Sequence, residues 1–75
     1  MTPYANHSSK SPIPAYEIGD EYIKVQFGQQ WIYLYTYGSA GHAVVEEMKK
    51  LARAGKGLST YISRNDPGYE SKTAV

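Results

Sequence analysis

Trp31-Ile32-Tyr33-Leu34-Tyr35-Thr36-Tyr37, followed at once by Gly38-Ser39, is the longest run of strand-forming residues in this chain of 75. β-Branched and aromatic side chains suit a pleated, half-buried surface, so the run is a strand and the Gly-Ser pair ends it. Just upstream, Tyr22-Ile23-Lys24-Val25-Gln26-Phe27 alternates, with Ile23, Val25 and Phe27 on one face. Gly28-Gln29-Gln30 between the two runs is a turn. Two registers are open for the resulting hairpin, because loop length decides which residues face the core. A two-residue loop pairs Val25 with Ile32 and Ile23 with Leu34. A three-residue loop pairs Phe27 with Trp31, Val25 with Tyr33 and Ile23 with Tyr35, which concentrates the bulky side chains on one face. The second is preferred, since a core this small needs large side chains.

Downstream the period changes. Val44, Val45, Met48, Leu51, Ala52 and Gly55 fall on one stripe at 3.6 residues per turn, with Glu46, Lys49, Lys50 and Arg53 opposite. This is an amphipathic helix packed on the sheet. Ser39 is its expected N-cap, Glu46 reaches Lys50 four residues on, and Gly55 and Gly57 end it. Leu58 to Arg64 reads either way: Thr60, Tyr61 and Ile62 favour a strand, whereas Ser59 as a cap and the Leu58–Ile62 spacing permit a short helix. Ile13 to Ile18 is a weaker strand that lies at an edge or starts after Pro14. The fold expected is therefore α+β: a small three-stranded antiparallel sheet packed by one amphipathic helix, followed by a short second helix or strand. Residues 1–12, rich in Ser, Pro and Asn, read as a flexible N-terminal arm; 13–64 are the domain; 65–75, opening with Asp66-Pro67-Gly68, read as a disordered tail.

Composition narrows the chemistry. There are no cysteines, so disulfides, thiolate metal sites and Cys nucleophiles are excluded. No apolar stretch approaches the roughly 20 residues of a membrane span, and no basic-then-apolar leader opens the chain, so the expected location is the cytoplasm. His42 and Glu46 have acid–base spacing, but no activated nucleophile or second carboxylate accompanies them. Two histidines without cysteine make a poor zinc set, and the glycines punctuate helices without forming a phosphate loop. The expectation is a protein that is not an enzyme and carries no cofactor or metal.

The net charge of +1 conceals an asymmetry. Residues 1–47 balance to −3, while 48–65 carry Lys49, Lys50, Arg53, Lys56 and Arg64 with no acid, a balance of +5. Local charge sets the field that a partner meets, so this block is a candidate phosphate-binding surface. In the preferred register Ile32 and Leu34 point away from the helix beside Tyr22, offering a patch for a protein partner or a second copy.

The ordered set of an alternating strand with Ile23, Val25 and Phe27, a Tyr33-x-Tyr35 motif, a helix, Lys56-Gly57, and then Ile62 and Arg64 resembles the KTSC domain. That short module occurs at the C-terminus of some lysyl-tRNA synthetases and alone in small bacterial proteins. The resemblance covers roughly residues 13–64. It implies a single α+β domain, a helical reading of Leu58–Arg64, and RNA binding. The site residues expected for nucleic acid are Lys49, Lys50, Arg53, Lys56 and Arg64, with Tyr61 as aromatic neighbour; the alternative protein interface is Tyr22, Ile32 and Leu34.

Overall fold

The computed structural model describes residues 1–7 and 11–75. Its centre is the hairpin of β3 (Tyr22–Phe27) and β4 (Trp31–Thr36). The pairing follows the three-residue loop, with Phe27 opposite Trp31, Val25 opposite Tyr33 and Ile23 opposite Tyr35. This register sends Ile23, Val25 and Tyr35 into the core and leaves Ile32 and Leu34 on the other face, half-exposed.

The sheet has five strands, where three were expected. β1 (Thr2–Pro3), β2 (Ala15–Ile18), β3, β4 and β5 (Ser71–Ala74) lie in that order, each antiparallel to its neighbour. β2 starts just after Pro14, and the free carbonyl of that proline accepts the Tyr4 N–H at 2.9 Å. Both outer strands come from segments that the sequence reading left outside the domain. Neither carries a hydrophobic alternation, because neither is held chiefly by side chains. All four residues of β5 are exposed, and backbone pairing to β4 fixes them. At the other end a few anchors replace a pattern: Tyr4 is 6 % exposed, Ile13 is fully buried, and the His7 N–H reaches the Gly55 carbonyl at 2.8 Å. Lys10, also assigned to the arm, lies outside the described residues.

Three helices connect β4 to β5. Ser39 does not cap the long helix as expected. Thr36 caps a single turn, α1 (Tyr37–Ala40), and Ser39 closes the reciprocal box: its N–H donates to Thr36 Oγ1 and the Thr36 N–H donates to Ser39 Oγ, both at 3.0 Å. Gly41 then breaks the helix at φ 96°, a value that L side chains rarely adopt, and α2 (His42–Ala54) starts on a new axis. Its Val45, Met48 and Ala52 are buried against the sheet, with Val44 and Leu51 packed beside them. Gly55 ends α2 at φ 76°, and a β-carbon there would stand 2.6 Å from that of Ala5, so the N-terminal segment requires this glycine to cross the helix end.

The ambiguous Leu58–Arg64 segment is helical, as the resemblance implied. α3 (Leu58–Asn65) drops Leu58 into the core and lays Tyr61 and Ile62 against it one turn later. Its first N–H group has no partner within the helix. The Tyr4 hydroxyl accepts it across the molecule at 3.3 Å, so a phenol from the N-terminal segment caps α3. The following residues dock on α1, with Pro67 buried, Ser39 Oγ donating to the Gly68 carbonyl at 2.9 Å and Thr36 Oγ1 donating to Glu70 at 3.1 Å.

Tyr35→Ala removes a ring from the centre of the core and should destabilise by about 3–5 kcal/mol in urea titration, with Ile32→Ala costing much less. Tyr4→Phe strands the Leu58 N–H and should cost about 1–3 kcal/mol. A Tyr4→Phe variant as stable as the wild type would remove the phenol cap of α3 from the stability of the fold.

Candidate nucleic-acid interface

The basic block runs from α2 through the turn at Lys56 to Arg64 on α3, and its side chains do not all face solvent. Lys49 stands three residues after Glu46 and turns inward, where its side chain is 6 % exposed. Its ammonium lies 2.8 Å from Glu46 Oε2, donates to the Asp20 carbonyl at 2.9 Å and sits 5.4 Å from the Tyr37 ring centre. The Tyr37 hydroxyl completes the cluster, 2.6 Å from Glu46 Oε2 and 2.9 Å from the Asp20 carbonyl. The expected Glu46–Lys50 pair is thus a Glu46–Lys49 pair, and Lys49 is withdrawn from any partner.

The ionisation of this cluster suits a brace. Burial works to lower the Lys49 pKa, but the hydrogen bond and charge of Glu46 outweigh it and the net shift is upward. Glu46 is lowered by hydrogen bonds from Lys49 and then Tyr37. Tyr37 is raised, first by its bond to Glu46. Each group is pushed further into the state it already holds at neutral pH, the opposite of what a proton-transfer site requires. His42, four residues before Glu46, rests its ring 4.6 Å from that of Tyr37.

Lys50, Arg53, Lys56 and Arg64 are all exposed, and none makes an ion pair among the described residues. Tyr61 is half-buried and packs on the core, which makes it a support for α3 more than a free ring. On the opposite side of the sheet, Ile32 and Leu34 line a depression of about 330 Å³ with Met1, Glu17, Lys24, Ser71 and Thr73. Lys24 pairs with Glu17 at 3.9 Å across this face, and the Tyr22 hydroxyl donates to Glu17 at 2.9 Å, so the patch is more polar than its two aliphatic residues suggest. No cluster of His, Cys, Asp and Glu able to hold a metal occurs among the described residues, and no helix among them is long and apolar enough to cross a membrane.

Tyr33 and Tyr35 share a face but differ in exposure. Tyr35 is 2 % exposed, and burial, then neighbouring Tyr33, Asp66 and Tyr69, pushes its phenol up to about 12. Tyr33 is half-buried and lines an open cleft of about 210 Å³ with Phe27, Tyr35, Ile62, Asp66, Pro67 and Tyr69. This cleft is not legible in the sequence, because three of its residues, Asp66, Pro67 and Tyr69, come from the segment expected to be a disordered tail. The one signal available was Tyr69, an aromatic residue in an otherwise polar stretch.

Comparison of the chain with family models, with curated proteins and with solved structures finds no match.

The pKa directions set a pH signature. Glu46 is lowered, so its stabilisation is present above the unfolded value of about 4.3 and is lost as pH falls through the depressed folded value. Lys49 and Tyr35 are raised, so theirs is present below unfolded values of about 10 and is lost as pH rises through the folded ones. The melting temperature should therefore be flat between about pH 5 and 10 and fall on both sides. Glu46→Gln should lower that plateau and flatten the acid limb. An unchanged acid limb in a pH series of thermal melts would remove the brace from the stability of the fold.

Proposed function

We propose that this domain is a non-enzymatic binding module for RNA, with the exposed side chains of Lys50, Arg53, Lys56 and Arg64 contacting the phosphates. The observation that carries this reading is the absence of compensation. These four cations have no carboxylate partner among the described residues, and the chain from Met48 to Asn65 contains no acid at all. An ordinary solvated helix alternates its charges, whereas here the acids Glu46 and Glu47 sit together on the second turn of α2 and one of them is consumed in holding Lys49. A surface of this kind attracts a polyanion and releases its condensed counterions on contact. The resemblance to the KTSC domain points the same way. Lys49, counted in this set from sequence alone, is no part of the proposed interface.

With three of the four cations engaged, affinity for a single strand should fall with salt at a logarithmic slope of about −2. Reversing Arg53 and Lys56 to Glu should weaken binding strongly without lowering the melting temperature, because both side chains are exposed. Lys24→Glu on the outer sheet face is the control. A loss there as large as on the helix would mean unspecific attraction. No binding even at low salt would defeat the RNA reading, and self-association through Ile32 and Leu34, read by sedimentation, would then be the better account.

A further inference from the structure

The nucleic-acid reading leaves unexplained the aromatic cleft at the hairpin end of the sheet. α2 covers Ile23, Val25 and Tyr35, but Trp31 is 38 % exposed and Tyr69 50 % exposed. The rings of Phe27 and Tyr69 each stand at 71° to that of Tyr33, with centres 5.1 and 4.8 Å away, so they form walls around a space instead of filling it. Ile62 of α3 and Pro67 close the far side. About 210 Å³ is below the range of pockets for drug-sized ligands and holds one flat ring system.

Two charged groups stand at this space. Asp66 lines it, exposed and without an ion pair among the described residues. Its backbone is held at φ 43°, where α3 stops and the chain turns toward β5. Lys72 lies at the rim, its ammonium 4.3 Å from the Trp31 ring centre and 5.6 Å from that of Tyr33. The occupant must therefore be flat, must offer hydrogen-bond donors to a carboxylate, and must tolerate a cation beside it. An organic cation fails the last condition, because the Lys72 ammonium 5.6 Å from the Tyr33 ring centre would repel it. An aliphatic side chain leaves Asp66 unanswered. A nucleobase joined to a phosphate meets all three, since its ring stacks, its edge meets Asp66, and its phosphate faces Lys72, with Arg64 only two residues from Asp66. Among the bases, guanine alone presents adjacent N–H donors on its Watson–Crick edge. A carboxylate is an acceptor only, so adenine and uracil would set one of their own acceptors against it.

We infer that the cleft between Tyr33, Tyr69 and Asp66 seats one unpaired guanine of the bound strand. This rests on the proposed RNA binding but is separable from it. In the full chain, GMP should shift the Ile62 methyl NMR signals and change Trp31 fluorescence, and it should outcompete AMP, UMP and CMP. A short oligouridine carrying one guanosine should bind about tenfold more tightly than plain oligouridine. Asp66→Asn should abolish that preference with the salt slope unchanged, and asparagine accepts the left-handed backbone, so the fold should survive. Tyr69→Ala, on an exposed ring, should weaken the guanosine strand about tenfold and serves as a second variant.

If both strands bind equally and with the same salt slope, the cleft is not a base site and the phosphate reading stands alone. If GMP and the guanosine preference respond to Asp66→Asn while Arg53 and Lys56 reversal has no effect, the cleft stands and the helix surface fails. Tetramethylammonium moving the Ile62 signals where GMP does not would make the cleft a cation cage and overturn the inference.

Discussion

The structure depends on how Val25 faces Tyr33. With that pairing in place, the β3–β4 hairpin has one face carrying Ile23, Val25, Phe27, Trp31, Tyr33 and Tyr35, and a second of mixed character. A one-residue slip would exchange the faces of a whole strand, because side chains alternate with a period of two. The inner face is wider than α2 can cover. The helix takes the end near Ile23 and Tyr35, while the end near Phe27 and Trp31 is left to α3, the Asp66–Tyr69 segment and solvent. Core and cleft are thus two ends of one aromatic surface, divided by the reach of a thirteen-residue helix.

The apolar stripe of α2 and the alternation of β3 could be read directly, because each buries side chains with a regular period. β1 and β5 could not, since an edge strand of two or four residues is recruited through its backbone and its side chains carry no period. Pro14 does mark the strand's start, just before Ala15, and its carbonyl also receives Tyr4 and so brings the N-terminal segment onto the sheet. α3 was balanced between two readings in its own residues, and what decides it is the distant core that takes up Leu58 and the phenol that caps it.

The candidate site was legible to the same uneven degree. A run of cations without acids is a property of the sequence and needs no fold to be noticed. Which of those cations is free is a matter of helix angle and of what lies above it. Lys49 is lost to the surface because Tyr37 and the Asp20 carbonyl stand where its side chain reaches, and neither is within ten residues of it in a helical frame. Lys50, one position further on, turns to solvent. The cleft residues are spread from Phe27 to Tyr69, and no local spacing joins them.

The Tyr4 cap on α3 has a consequence for how the molecule assembles. It joins positions 54 residues apart, and the last strand joins β4 only after three intervening helices. Contacts of such long sequence separation require large loops to close before any enthalpy returns, which slows the search. The hairpin, α2 and the β1–β2 pair can form while the chain is still being made, but the Tyr4 cap must wait for Leu58 and β5 for Ser71–Ala74. An emerging chain is therefore open along the β4 margin of its sheet until the final strand arrives, and the interval is its period of greatest exposure to mispairing with its neighbours.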